Sequence, residues 1–214
     1  SDHLNDKGII TICEFWDFSL SNKLKNNYGE MDLIFSANTI SHIQELDLCF
    51  KGIENILSEN GVFILESPSL KSILKNNIID QFYHEHHSFF SLYSITNLLK
   101  DYNLEVFDVE EIDVHGGSLR FYISKKRQKI NRESIQNILS QELEIGIGNY
   151  DILKSSFTRM IDNLYALKKM LQKLKKDGFK IIGYGATAKL SLILNIANIG
   201  NDLVDYVLDT TPYK

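Results

Sequence analysis

The sequence predicts an α/β protein: a sheet of parallel strands finished by an antiparallel hairpin, a helical connector, and the start of a second α/β unit. Three observations carry this expectation. From Ile9 to Glu66 short apolar runs alternate with stretches of helical spacing, the pattern of a parallel sheet covered by helices. Two later apolar runs flank His115-Gly116-Gly117, whose glycines suit a tight antiparallel reversal. A long amphipathic stretch then leads into a second strand–helix–strand pattern near the end of the chain.

Taken in order, 1–8 reads as the end of a helix with Gly8 as its stop. Ile9 to Phe15, β-branched and apolar, predicts a strand. Ser19 to Tyr28 predicts a polar helix ended by Gly29, and Met31 to Ala37 a second buried strand. Leu46, Cys49, Phe50, Ile53, Ile56 and Leu57 recur at the three-and-four spacing of an amphipathic helix over 45–57. Asn60-Gly61 predicts a turn into a third parallel strand, Val62 to Glu66. A helix is expected over Ser94 to Tyr102, and hairpin strands over Leu104 to Val114 and Ser118 to Ser124. From Arg132 to Lys176 the spacing is helical, with a break at Gly146 to Asn149. An apolar stripe including Phe157, Met160, Leu164 and Leu171 suits docking on another unit. Lys180 to Gly183, Ala188 to Ile199 and Leu203 to Leu208 predict strand, helix and strand. The first unit opens inside a helix and the second stops after two strands, so the chain is expected to be the middle of a longer protein.

Composition excludes several function classes. A net charge of −5 opposes non-specific binding to nucleic acid, which needs a basic field to release counterions. No apolar run approaches the roughly 20 residues that span a bilayer, and no signal-peptide pattern is visible. No membrane partner is therefore expected. Cys13 and Cys49 lie in apolar runs and read as two buried thiols rather than a disulfide framework, which points to the cytoplasm. Nothing in the sequence indicates an oligomeric state.

The chemistry concentrates in Asp80-Gln81-Phe82-Tyr83-His84-Glu85-His86-His87-Ser88-Phe89-Phe90-Ser91. Tyr, Glu and His are side chains that move protons near neutral pH, and phenylalanines can wall them from water. In an open α/β sheet, ligands bind beyond the carboxyl ends of the strands. Three such ends are Glu14-Phe15-Trp16, Ser36 to His42, and Glu66-Ser67-Pro68, and the cluster follows the third. Asn38, His42 and the cluster are therefore expected to converge on one cleft. A metal site from His84, Glu85, His86 and His87 is not expected, because zinc ligands are usually split between elements.

Further motifs bear on identity. Asp32 to Ile43 (D-L-I-F-S-A-N-T-I-S-H-I) resembles the fourth-strand segment of class I S-adenosylmethionine-dependent methyltransferases. The run D-Q-F-Y-H-E-H-H-S-F-F-S resembles the signature of the C-methyltransferases acting on nucleotide-linked 4-keto-deoxyhexoses. V-H-G-G-S-L-R at Val114 to Arg120, G-Y-G-A-T-A-K at Gly183 to Lys189 and D-T-T-P-Y-K at 209–214 are similar to that family in order and spacing.

The resemblance implies a partial Rossmann-like methyltransferase sheet over 1–127, a connector over 128–177, and the beginning of a C-terminal α/β nucleotide-fold domain over 178–214. It implies an S-adenosylmethionine-dependent transferase that methylates the carbon beside the ketone of a nucleotide-linked 4-keto-deoxy sugar, by α-proton abstraction. His86 is the implied general base, with Tyr83 beside it and Glu85 orienting an imidazole or a sugar hydroxyl. Asn38 and His42 are implied to bond the sugar or the enolate. His84 and His87 are expected to be bystanders. Phe15 and Trp16, with Ala37 and Asn38, are implied cofactor contacts. His115, Arg120, Gly183, Gly185 and Lys189 are implied on the substrate side, the glycine loop opening a helix toward an anionic group. The family's zinc module, glycine-rich cofactor loop and ribose-binding acidic residue have no match in this chain. The polypeptide alone is therefore expected to be inactive. Alternatives left open are an O- or N-methyltransferase of the same fold and a non-catalytic sugar-nucleotide-binding relative.

Overall fold

The computed structural model describes residues 7–125 and 132–211. Gly8 sits in a turn with φ +74°, and the helix expected before it lies outside the described residues. Asp17 caps α1 (Phe18–Tyr28): its carboxylate accepts from the Leu20 amide at 2.7 Å, satisfying an N–H that the first turn leaves free. Gly29, at φ +83°, ends the helix and turns the chain into β1 (Met31–Ala37). Helix α2 (Leu46–Ile56) buries Cys49, Phe50, Ile53 and Ile56 on one stripe, and α1 packs beside it where Gly52 admits the Asp17 carbonyl. Strand β2 (Leu57–Pro68) then runs parallel to β1.

Helix α3 (Leu70–Asn76), capped by Ser69, and helix α4 (Leu92–Leu98), opened by a Ser91–Ser94 capping box, follow β2. The hairpin β3 (Leu104–Ile112) and β4 (Ser118–Lys125) completes a sheet of order β1-β2-β4-β3, with β2/β4 and β4/β3 antiparallel. Phe63, Leu65, Leu119, Phe121 and Ile123 form the sheet's share of the core. Phe50, Ile53, Leu92, Ile95 and Leu99 cover it from the helices. Helix α5 (Arg132–Glu144) packs on β3, and helix α6 (Tyr150–Lys176) carries the chain to a second sheet of two parallel strands, β5 (Ile182–Tyr184) and β6 (Tyr206–Leu208), with α7 (Ala188–Ala197) between them.

Four expectations are corrected. Ile9 to Phe15 is not a strand: its backbone joins neither described sheet, and Phe15 is 96% exposed. The first sheet therefore holds one parallel pair rather than three parallel strands. Asn60-Gly61 lies inside β2 rather than ahead of it. There the register against β1 shifts between Met31 and Leu33, and a Cβ on Gly61 would fall 2.8 Å from the Met31 carbonyl oxygen. Cys13 is exposed, whereas Cys49 is buried and its thiol is pushed up to about 12 by desolvation. Helix α3 has no counterpart among the expected elements, although Ser69 supplies its cap.

Candidate active site

Four parts of the fold end around one cavity of about 190 Å³, lined by Asn38, His42, Pro68, Gln81, Tyr83, His86, His115 and Lys189. Asn38 follows the end of β1 in the left-handed region (φ +51°), which asparagine tolerates well, and its amide bonds the Glu66 carbonyl of β2 at 2.9 Å. The 3-10 turn Ile40–His42 comes next. Its Ser41 hydroxyl meets that of Ser67 at 3.0 Å, and its Ser41 carbonyl accepts from the amides of His87 (2.8 Å) and Ser88 (3.2 Å). These bonds pin the histidine-rich loop against the strand ends, and His42 meets His86 edge-to-face at 4.8 Å. His115, at φ +54° in the β3–β4 turn, and Lys189, in the first turn of α7, close the remaining sides.

His86 is the most constrained titratable group of the cavity. Its Nδ1 lies 2.8 Å from the Gln81 carbonyl oxygen and its Nε2 lies 3.0 Å from the Tyr83 hydroxyl. A carbonyl can only accept, so Nδ1 carries the proton. Nε2 then presents its lone pair, which the Tyr83 hydroxyl occupies. Burial against Phe89 and neighbours holds the imidazole below its ordinary range, with the Gln81 carbonyl opposing that shift. Burial, helped by the charges of Glu85 and Asp80, pushes the Tyr83 phenol up, so it remains a proton donor. Asn38 Oδ1 is buried without a hydrogen-bond partner. The arrangement offers a neutral base, a neutral hydroxyl donor and polar side chains to orient a small molecule.

Six of the residues read from the sequence as catalytic or substrate-facing thus share one cavity: Asn38, His42, Tyr83, His86, His115 and Lys189. Others lie elsewhere. Glu85 is exposed, 3.9 Å from His84 Nε2, and His87 is exposed as well. Arg120 is held by carboxylates, its guanidinium 3.0 Å from Glu66 and 3.5 Å from Glu110, and does not line the cavity. Gly183 lies within β5, where it packs on Val207. Gly185 takes φ +92° in the loop before α7 and bonds the Leu208 carbonyl. Sequence reasoning missed Gln81, whose carbonyl orients His86, and Pro68. A backbone acceptor carries no side-chain signal.

A second, apolar cavity of about 200 Å³ lies against β1, walled by Trp16, Ile34, Phe35, Ser36, Thr39, Ile40, Ile43, Ile53 and Phe63. Trp16 is fixed there by donating to the Cys49 carbonyl at 3.2 Å, while Phe15 points away and Ala37 ends the adjacent strand. These walls suit a flat aromatic ring, and no acidic side chain lines them to hold a ribose. Among the described residues no group of three or more His, Cys, Asp or Glu could hold a metal ion, and no helix is long and apolar enough to cross a membrane.

Residues 2–109 match the family model described as a methyltransferase domain, and residues 113–214 match one described as a C-methyltransferase C-terminal domain. The chain belongs to the methyltransferase-domain family, whose members imply S-adenosylmethionine as cofactor. It is 29% identical over 212 residues to the C-methyltransferase NovU of Streptomyces niveus, covering 98% of this chain and 50% of NovU. It therefore spans about half the length of that curated relative. A solved structure described as "Conversion of a Disulfide Bond into a Thioacetal Group during Echinomycin Biosynthesis" overlaps 67% of this chain and 66% of its own, at TM-score 0.37 and 11% identity, which carries no argument.

Proposed function

We propose that this chain is the catalytic portion of an S-adenosylmethionine-dependent C-methyltransferase acting beside the ketone of a nucleotide-linked 4-keto-deoxy sugar in the cytoplasm. The observation that carries the reading is the Tyr83–His86 hydrogen bond inside one cavity with Asn38 and His42. Similarity to NovU and to the C-methyltransferase C-terminal family supports carbon as the methylated atom. The division into 1–127, 128–177 and 178–214 is part of the same proposal.

Methylating a carbon next to a ketone requires removal of an α-proton and stabilisation of the resulting enolate. Neutral His86 supplies the base, its Nδ1–H held by the Gln81 carbonyl so that Nε2 faces the cavity. The Tyr83 hydroxyl bonds that lone pair at 3.0 Å. A substrate carbonyl gives the hydroxyl a competing acceptor and releases Nε2 to take the α-proton. The C–H electron pair passes to the enolate, whose oxygen is met by the Tyr83 hydroxyl and the side-chain NH2 of Asn38. Imidazolium formation beside His42 is offset by Glu85 and the Gln81 carbonyl. Trp16, Ile40 and Ile43 would hold the adenine ring of the cofactor, while ribose contacts are not formed by these walls. When bound, the cofactor supplies a methyl group already activated on a sulfonium. Lys189 and the N-terminus of α7, with Gly183 and Gly185 shaping the preceding loop, would meet the anionic part of the sugar nucleotide.

His86→Ala in the intact protein should abolish methyl transfer while cofactor binding, measured by calorimetry, survives. Near-normal turnover would refute the assignment. Exchange of the α-hydrogen of a 4-keto sugar with solvent deuterium separates carbon from oxygen methylation, since an O-methylating enzyme has no use for that step.

A further inference from the structure

The 3-10 turn Ile79–Gln81 makes a different connection with each of its three residues. Ile79 packs into the cluster of Leu164, Ala197, Ile199 and Leu203, where α6 meets the second α/β unit. Asp80 lies with Oδ2 3.4 Å from Lys189 Nζ on α7, and its Oδ1 is buried without a hydrogen-bond partner. Gln81, 3% exposed, turns its carbonyl onto His86 Nδ1. The backbone group that sets the tautomer of the imidazole is thus one residue from a carboxylate tied to the second unit.

We infer that Asp80 is a positioning residue: by holding Lys189 it pins the Ile79–Gln81 turn against α7, so that the Gln81 carbonyl stays on His86 Nδ1 and Nε2 stays turned to Tyr83 and the cavity. The inference rests on the reading of His86 as the base. It also makes Lys189 a shared cation, held by Asp80 and offered to an anionic group of the ligand. Outer partners that fix the tautomer of a functional histidine act in this way without touching the reacting atoms.

The charges around His86 give the inference a sign. His42 faces it from the turn after β1 and Lys189 from α7, and both oppose its protonation. Glu85 of its own loop and the Gln81 carbonyl favour it, and Tyr83 bonds it as a neutral phenol. Asp80 balances Lys189. Removing the Asp80 charge leaves Lys189 unopposed and makes His86 harder to protonate. Losing either partner frees the Gln81 carbonyl from Nδ1, so the tautomer of the ring reports the positioning, which a bare change of charge would leave in place.

The test is a nitrogen-15 NMR titration of the histidine rings in the intact protein, with the His86 signal assigned by its loss in His86→Ala. Wild type should show the Nδ1–H form. Asp80→Asn should average the two ring-nitrogen shifts and move the midpoint down, Asp80→Glu should restore both, and Lys189→Met, which removes the other half of the pin, should average the ring-nitrogen shifts as well. In turnover, Asp80→Asn should lower kcat by roughly tenfold or more with KM unchanged or lower, as expected for an outer partner of a functional group. A His86 signal unmoved in both Asp80→Asn and Lys189→Met overturns the inference, and the Lys189 variant decides it if Asp80→Asn does not fold. The expected shifts, in a wild type that neither methylates nor exchanges the α-hydrogen of a 4-keto sugar nucleotide, sustain the coupling and overturn the proposed reaction instead.

Discussion

At the scale of single residues, the site turns on how one imidazole is held. His86 is bonded at both nitrogens, by an acceptor that cannot donate and by a phenol that can, and this asymmetry leaves Nε2 unprotonated when the ring is neutral. Burial lowers its proton affinity, so the neutral form is present at lower pH than for a free histidine. For a base the neutral form is the active one. The acid limb of kcat/KM should therefore rise with pH and level off with a midpoint below about 6.5, the ordinary histidine value. A limb centred above that value would remove His86 from the role, because burial, the largest influence on the ring, lowers its proton affinity. The exposed His84 and His87 have no comparable restraint on their rings, although the His87 amide helps to anchor the loop.

At the scale of elements, the hairpin shows how backbone chemistry places a side chain. The turn between β3 and β4 runs through His115, Gly116 and Gly117 at φ +54°, +82° and +112°, and it sets His115 on the cavity rim. Gly117 accepts from the Ser69 amide at 3.0 Å, joining the hairpin to the start of α3. A Cβ at Gly117 would lie 2.8 Å from the Ser72 Cβ, in a conformation that side chains rarely adopt. Gly117→Ala should cost about 1–3 kcal/mol of stability from the backbone alone, read by chemical denaturation. An unchanged denaturation midpoint would show that the turn relaxes freely. Helix α4 depends on a more distant partner: the buried Glu142 carboxylate of α5 accepts from the Leu92 and Tyr93 amides at 2.8 Å each. Burial pushes that carboxyl up while the two amides pull it down. A glutamate fifty residues away thus helps the local Ser91–Ser94 cap to satisfy the first turn.

At the scale of the whole molecule, α6 ties the histidine-rich loop to the second unit. Phe157 of α6 meets Phe82 edge-on at 4.6 Å, and Phe82 packs on Phe89 at 4.4 Å, directly behind His86. Further along the same helix Leu164 and Leu171 pack with Ala197 and Leu203 of the second unit. One stripe of one helix therefore braces both walls of the cavity. Phe157→Ala should destabilise the fold by less than the about 3–5 kcal/mol typical of a fully buried phenylalanine, because its ring is only partly buried. It should also lower kcat. A thermal midpoint and a turnover rate both equal to wild type would show that the brace is dispensable.

Local pattern determined a good deal here. Helix stops at Gly29, the hairpin around Gly116 and the break near Gly146 were legible because each depends on neighbours within a few residues, whereas the strand Met31–Ala37 forms as expected but is not buried, with Leu33 and Phe35 exposed. The convergence of Asn38, His42, Tyr83, His86, His115 and Lys189 was legible in part, since strand ends and a known family order pointed to one cleft. The errors fell where pairing decides. Ile9 to Phe15 has the composition of a strand but joins neither described sheet, and Arg120 has the charge to bind phosphate but is taken by Glu66 and Glu110 across the sheet. Only the tertiary structure could decide that a main-chain carbonyl at Gln81 aims the imidazole and that Asp80 reaches Lys189 on α7. Those bonds join residues by folding rather than by spacing, and a carbonyl is the same in every residue of the chain.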